Sequence, residues 1–349
     1  METLWFVLVA AMMTAYVVLD GFDLGVGALY KVLGRSEDDR AVLRRTIGPV
    51  WDANEVWLLA AGGTLYLAFP ALYAASFSGF YLPLMMVLWL LIGRGLGLEL
   101  RGHIPDPLGR QVCDTIFMVS SIALAVVLGA ALGNVVRGVP LDADGYFFLP
   151  LWTDFLPGPS PGVLDWYTVL CGVVALVALG THGAHYLVVR TGGDLNARAR
   201  RLARIGGRIL AVLMVINLAA SLAVRPGLLD NFRAYPIGLA LPAVVGGALA
   251  GMEVAGRRGR ERAAFASSCV FLIATLGGAA FALYPTLLPS SAEPARALTV
   301  HGAAADGYAL NAALGWWIVG IVLVAATFRY LYGQFRGKVA AGVSDSDGH

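Results

Sequence analysis

Residues 16–30, YVVLDGFDLGVGALY, close one apolar run, and residues 46–59, TIGPVWDANEVWLL, open the next. Each run is the length of a membrane-crossing helix, yet together they carry Asp20, Asp23, Asp52 and Glu55. A charged side chain near a bilayer centre costs about 2.5 to 3.5 kcal/mol on insertion scales, so these carboxylates must face protein, water or each other. Positions three apart share a helix face, which makes Asp20 with Asp23, and Asp52 with Glu55, two acidic faces. Gly21, Gly25 and Gly27 remove bulk beside the first pair and permit close helix contact. Pro49 suits a first helical turn just before the second pair, with Asn54, Trp51 and Trp57 beside it.

The rest of the composition agrees with a membrane setting. Of 349 residues, 58% are hydrophobic and 14% charged, with mean hydropathy +0.72. That places the chain outside the soluble classes and among polytopic membrane proteins. The net charge of +2 is too small to indicate a nucleic-acid partner. Cys113, Cys171 and Cys269 lie in separate apolar segments without ligand spacing, so neither a disulfide framework nor a metal site is expected. The first segment, METLWFVLVAAMM, has no basic region ahead of it and reads as an uncut transmembrane helix.

Nine apolar runs are long enough to cross about 30 Å of hydrocarbon: 4–30, 47–69, 75–98, 111–136, 163–189, 206–224, 234–253, 264–288 and 308–332. Of the 25 Lys and Arg residues, only Arg137, Arg225, Arg233 and Arg296 lie off one set of alternate loops. The positive-inside rule then puts the N-terminus outside and the C-terminus in the cytoplasm. The expected fold is all-α, with four spans, a fifth preceded by a long loop, and four more, a pattern that fits two four-helix bundles plus a peripheral helix. The expected divisions are 1–137, a first bundle with the acidic hairpin; 138–162, an outer loop whose aromatics suit the membrane interface; 163–335, the remaining helices; and 336–349, a disordered cytoplasmic tail.

Both acidic faces lie toward the cytoplasmic ends of their spans, where Arg94, Glu99 and Asp114 of the third and fourth spans also fall. One arginine cannot neutralise six carboxylates, so some are expected to be protonated, hydrated or matched by a partner chain. Intramembrane acids at this density mark proton or ion paths, although caps and local pairs would account for Glu99 and Asp114. His182 and His185 share one face of the fifth span. Two ligands there cannot clamp opposite sides of a haem, and they read as titratable interfacial side chains. The methionines read as packing. The chain is expected to lack cofactor ligands and metal of its own.

Three runs, VVLDGFDLGVGAL (17–29), TIGPVWDANEVWLLAAGGTLYLAFPALYAASFSGFYLPL (46–84) and LIGRGLGLELR (91–101), strongly resemble subunit II of the cytochrome bd quinol oxidases. The likeness is closest in the first four spans and continues more loosely through GTHGAHYLVVRTGGDLNARARR (180–201) and LYPTLLPSS (283–291). Ala53 stands where the family usually has Gly. The resemblance implies a nine-helix, haem-free subunit paired with a haem-bearing subunit I that carries two b haems and one d haem, or b-type variants, and the quinol site. Small accessory subunits, lipid and quinone would complete the surroundings in a bacterial or archaeal cytoplasmic membrane. The complex would oxidise quinol near the outer face and reduce O2 with cytoplasmic protons, without pumping. The acid suggested to line the family's proton route falls on Asp52, with Glu55 as a neighbour in the relay. Asp23, Arg94 and Asp114 match positions on which the haem environment depends, and Asp20 and Glu99 join them in the expected polar network. The alternative is a proton- or cation-coupled secondary transporter using the same carboxylates; a third reading makes the acids purely structural.

Overall fold

A computed structural model describes residues 1–335 and 337–339. The expected tail, 336–349, lies outside the described residues apart from 337–339. The chain is a set of helices: α1 (Glu2–Leu33), α2 (Glu37–Ile47), α3 (Trp51–Ala68), α4 (Pro70–Gly79), α5 (Tyr81–Glu99), α6 (Pro107–Arg137), α7 (Trp166–Arg190), α8 (Gly193–Val224), α9 (Asp230–Ala234), α10 (Ala240–Arg257), α11 (Glu261–Leu283) and α12 (Gly307–Gln334). A two-stranded ribbon, β1 (Thr286–Leu288) with β2 (Leu298–Thr299), interrupts them between α11 and α12.

Among the described residues eight helices are long and apolar enough to cross a membrane: α1, α5, α6, α7, α8, α10, α11 and α12, with short 3-10 turns extending α5 to His103 and α10 back to Pro236. The second expected span corresponds to α3. It is 18 residues long, and its first two turns carry Asp52, Asn54 and Glu55, which keep it below the hydropathy of the others. The expected third span is two helices, broken at Phe80 between α4 and α5.

The basic stretch after α1, expected as a loop, is the helix α2. Ser36 accepts from the Asp39 amide, and Asp39 reaches back to the Ser36 amide, a capping box. Val42, Leu43, Thr46 and Ile47 form its buried side. The arginines from 198 to 204, also expected in a loop, belong to the first turns of α8.

Helix α1 is the hub, packing against α3, α6, α7 and α11. Helix α5 lies on α6, α6 on α7, α7 on α8 and α11, α10 on α11 and α8, and α12 touches α3. In lipid no hydrophobic drive joins two apolar helices, so close backbone approach and polar contacts have to do it. The crossing of α1 and α7 is such an approach: a Cβ on Gly25 would fall 2.0 Å from the Leu179 carbonyl oxygen, and one on Gly183 would fall 2.7 Å from Gly25 Cα. Any side chain at either position forces the two backbones apart, and Asp23 is only two residues from the contact.

At the far end the long segment 138–165 packs on the ribbon region. Val139 donates its amide to Pro289, and the Ser291 amide donates to Val139. Phe147 is buried there with Trp5, Phe69 and Leu72, whereas Tyr146, Phe148 and Trp152 remain exposed. A buried Arg137–Asp165 pair closes the base of this segment. Asp165 also caps α7, accepting from the amides of Tyr167 and Thr168.

Candidate functional site

The hairpin of α1 and α3 does bring its acids together, with α5 supplying the cation. Arg94 donates from Nη1 to Asp20 Oδ2 at 2.8 Å and from Nη2 to Asp20 Oδ1 at 2.5 Å. Both side chains are wholly buried. Such a two-pronged pair is the strongest geometry available to a carboxylate. Glu55 Oε2 lies 3.8 Å from the same guanidinium, and the Glu55 side chain is 23% exposed. The guanidinium also sits 5.9 Å over the Trp51 ring, and Trp51 Nε1 donates to Glu99 at 3.1 Å.

Asp23 is also fully buried but lacks a cation of its own among the described residues. Its Oδ2 accepts from Asn54 Nδ2 at 2.7 Å, and Asn54 Oδ1 accepts from the Tyr332 hydroxyl at 2.8 Å. Tyr332 arrives from the last helix, so a chain of hydrogen bonds ties α12 to α1 through α3. Tyr16 Oη, Asp23 Oδ1, Glu55 Oε2 and Arg94 Nε are buried without hydrogen-bond partners among the described residues. Each such group costs about 1 to 3 kcal/mol if left unpaired, which favours water or a second polypeptide at this cluster.

Asp52 is placed differently from the other three hairpin acids. It is exposed, on the outer side of α3, and makes no side-chain hydrogen bond or ion pair among the described residues. One turn on, Glu55 is half-buried. The series Asp52, Glu55, then Arg94 with Asp20 therefore runs from the surface of the chain to its interior.

Asp114 belongs to a second network. It accepts from Arg101 Nε at 2.5 Å and lies 3.6 Å from Arg40 Nε; Arg101 also reaches Glu37 at 2.5 Å. The expectation that one arginine faces six carboxylates is thus corrected: Arg101 is buried and, with Arg40, answers Asp114 and Glu37. The participation of Arg101, Arg40 and Tyr332 was not expected. For Arg40 the available signal was the Ser36 capping pattern, which puts it on a helix; for Tyr332 no local signal exists.

Glu37, in α2 outside the spans, is pushed up by burial, but Arg101 and Arg40 outweigh this and hold it below the usual carboxylate value. A depressed folded value means its contribution is present above the unfolded value, about 4.3, and is lost as pH falls through the folded one. The melting-temperature difference between wild type and Glu37→Gln is expected to be steady from pH 7 to 5 and to shrink at lower pH; a difference that grows on acidification contradicts the pairing.

His182 is not an exposed titratable side chain. It is buried, with Nδ1 2.8 Å from Ser268 Oγ and Nε2 2.9 Å from the Val18 carbonyl oxygen. With both ring nitrogens engaged it does not fit axial ligation of a haem. His185 is likewise buried. No group of three or more His, Cys, Asp or Glu among the described residues is arranged to hold a metal ion.

Comparison with known proteins identifies the family to which this hairpin belongs. The family model for cytochrome bd terminal oxidase subunit II matches residues 1–335. The chain belongs to that family. Within the subunit II family, it is 33% identical to the cytochrome bd ubiquinol oxidase subunit 2 of Bacillus subtilis, covering 97% of each chain. It is 32% identical to the cytochrome bd-I ubiquinol oxidase subunit 2 of Escherichia coli K12, covering 96% of this chain and 94% of that one. A probable cytochrome oxidase subunit 2 of Haemophilus influenzae is also 32% identical, over 99% of this chain. The solved bd oxidase of Geobacillus thermodenitrificans shares the fold, with a TM-score of 0.76 at 17% identity over 96% of this chain and 98% of that one. This subunit II is therefore a multi-pass membrane protein and part of an oxygen-reducing oxidoreductase complex.

Proposed function

We propose that this chain is the haem-free subunit II of a bd-type quinol:O2 oxidoreductase, supporting a haem-bearing subunit I and delivering cytoplasmic protons to it. The observation that carries the proton role is the graded series from exposed Asp52 through half-buried Glu55 to the buried Arg94–Asp20 pair. A relay needs acids of changing environment within a few ångströms of one another, entered from the side where protons are supplied. Asp52 receives the proton at the chain surface, in this reading at the subunit interface, and Glu55 takes it one turn further. Arg94 holds Glu55 and Asp20 in place, and Asp23, Asn54 and Tyr332 fix the wall behind them, with Glu99 held through Trp51. Asp114 holds α6 to the α2 side and so supports the same wall from the next helix.

In this reading α3 is a ninth span whose polar turns face the partner. Helices α1, α3, α5 and α6 form one bundle within 1–137, and α7, α8, α10 and α11 form the other, with α12 peripheral; the two bundles pack on each other through α1 and α6 against α7. The segment 138–162 lies outside, 163–335 carries the remaining helices, the N-terminus is outside and the C-terminus cytoplasmic, in a bacterial or archaeal inner membrane. The haems, bound by the partner, would supply electron transfer from quinol and O2 reduction; this chain's residues position and conduct protons. Family membership favours this over a secondary transporter.

Affinity purification of the tagged chain from its membrane, with an absorption spectrum and quinol-driven oxygen consumption, tests the assignment. A haem-coloured complex with oxidase activity is expected; a stable, colourless, solitary chain contradicts it.

A further inference from the structure

We propose that the α10–α11 hairpin carries a site for one anionic phospholipid, with an acyl chain in the groove between the helices and the headgroup on Arg258 and Arg262. A groove of about 650 Å3 runs along this hairpin, lined by Val244, Gly247 and Ala248 of α10 and Ala266, Ser267 and Val270 of α11. Both helices are membrane-crossing by length and composition, so the groove opens on acyl chains.

The charged end of the hairpin supplies the second half of the site. Glu253 is taken by Arg208 and Arg257, and Glu261 by Arg200 and Lys338. Arg258, Arg260 and Arg262 are exposed and have no side-chain partner among the described residues. At 100° and 1.5 Å per residue, Arg258, one residue past α10, lies within about 20° of Gly247 and about 16 Å along the axis, and Arg262 stands one turn, about 6 Å and about 40°, from Ala266 on α11. Each groove wall is therefore continued toward the same end by an unpaired cation. Arginines that merely orient the chain have no need of a groove beneath them; a phosphate on two guanidiniums with a chain lying between the helices uses both features.

Native mass spectrometry of the intact complex, titrated with phosphatidylglycerol or phosphatidylcholine, tests the site. The wild type is expected to hold one phosphatidylglycerol in preference to phosphatidylcholine. Arg258→Gln with Arg262→Gln is expected to reduce that preference about tenfold. Gly247→Leu, which fills the groove and leaves the charges, is expected to remove the bound lipid of either type. The proposal is overturned if the double arginine variant keeps the wild-type preference, or if Gly247→Leu keeps the lipid. It is also overturned if inorganic phosphate displaces phosphatidylglycerol at equal concentration, which would make this a free-anion site, or if a doubled mass shows a second complex seated there. The readout is lipid mass, so its failure leaves the proton route untouched.

Discussion

Replacing Arg94 by Gln is expected to abolish accumulation of the assembled complex. Arg94 and Asp20 are both fully buried and bonded through two contacts of 2.8 and 2.5 Å. Removing one partner of a buried pair leaves an uncompensated charge and costs about 3 to 5 kcal/mol, a large fraction of the about 5 to 15 kcal/mol that holds a folded domain together. Glu55, 3.8 Å from the same guanidinium, loses its only cation among the described residues as well. Asp20→Asn alone leaves Arg94 facing Glu55 and is expected to be milder, and Asp20→Asn combined with Arg94→Gln is expected to recover part of the loss, because two neutral amides can bond to each other. Yield of complex and haem absorbance per mole of chain are the readouts. Normal yield for Arg94→Gln, or no recovery in the double variant, contradicts a structural ion pair at the centre of the fold.

The hairpin's chemistry was legible in the sequence because charge inside an apolar run has few explanations. Asp20, Asp23, Glu55 and Arg94 do converge, since spacing by three fixes a face and depth along a span fixes a level. What stayed hidden was long-range. Tyr332 meets Asn54 across 278 positions, a contact set by where α12 docks. Asp114 turned to Arg101 because the 3-10 turn at Leu100–His103 folds that arginine back against α6, and no span count foresees this. Helix α2 was missed although Ser36 and Asp39 carried the capping pattern, because its arginines were read only for their charge. The polar first turns of α3 make it the one expected span whose composition falls short of a membrane helix. That same polarity is what a subunit interface lined with proton-carrying groups requires.

Asp52 is the residue on which the functional reading turns. It is exposed, free of partners among the described residues, and one turn from Glu55. An exposed side chain contributes little to the fold of this chain, so Asp52→Asn is expected to leave assembly intact while removing the first proton acceptor of the route. Oxygen consumption of the assembled variant, with quinol saturating and haem absorbance matched to wild type, should fall about a hundredfold, the lower end of what loss of a positioned proton carrier produces. Glu55→Gln should fall similarly, with some loss of stability because Arg94 then holds Asp20 alone. The decisive measurement is steady-state oxygen consumption of purified Asp52→Asn complex with a normal haem spectrum: a large loss of turnover is predicted, and turnover equal to wild type would contradict the proton route through this hairpin.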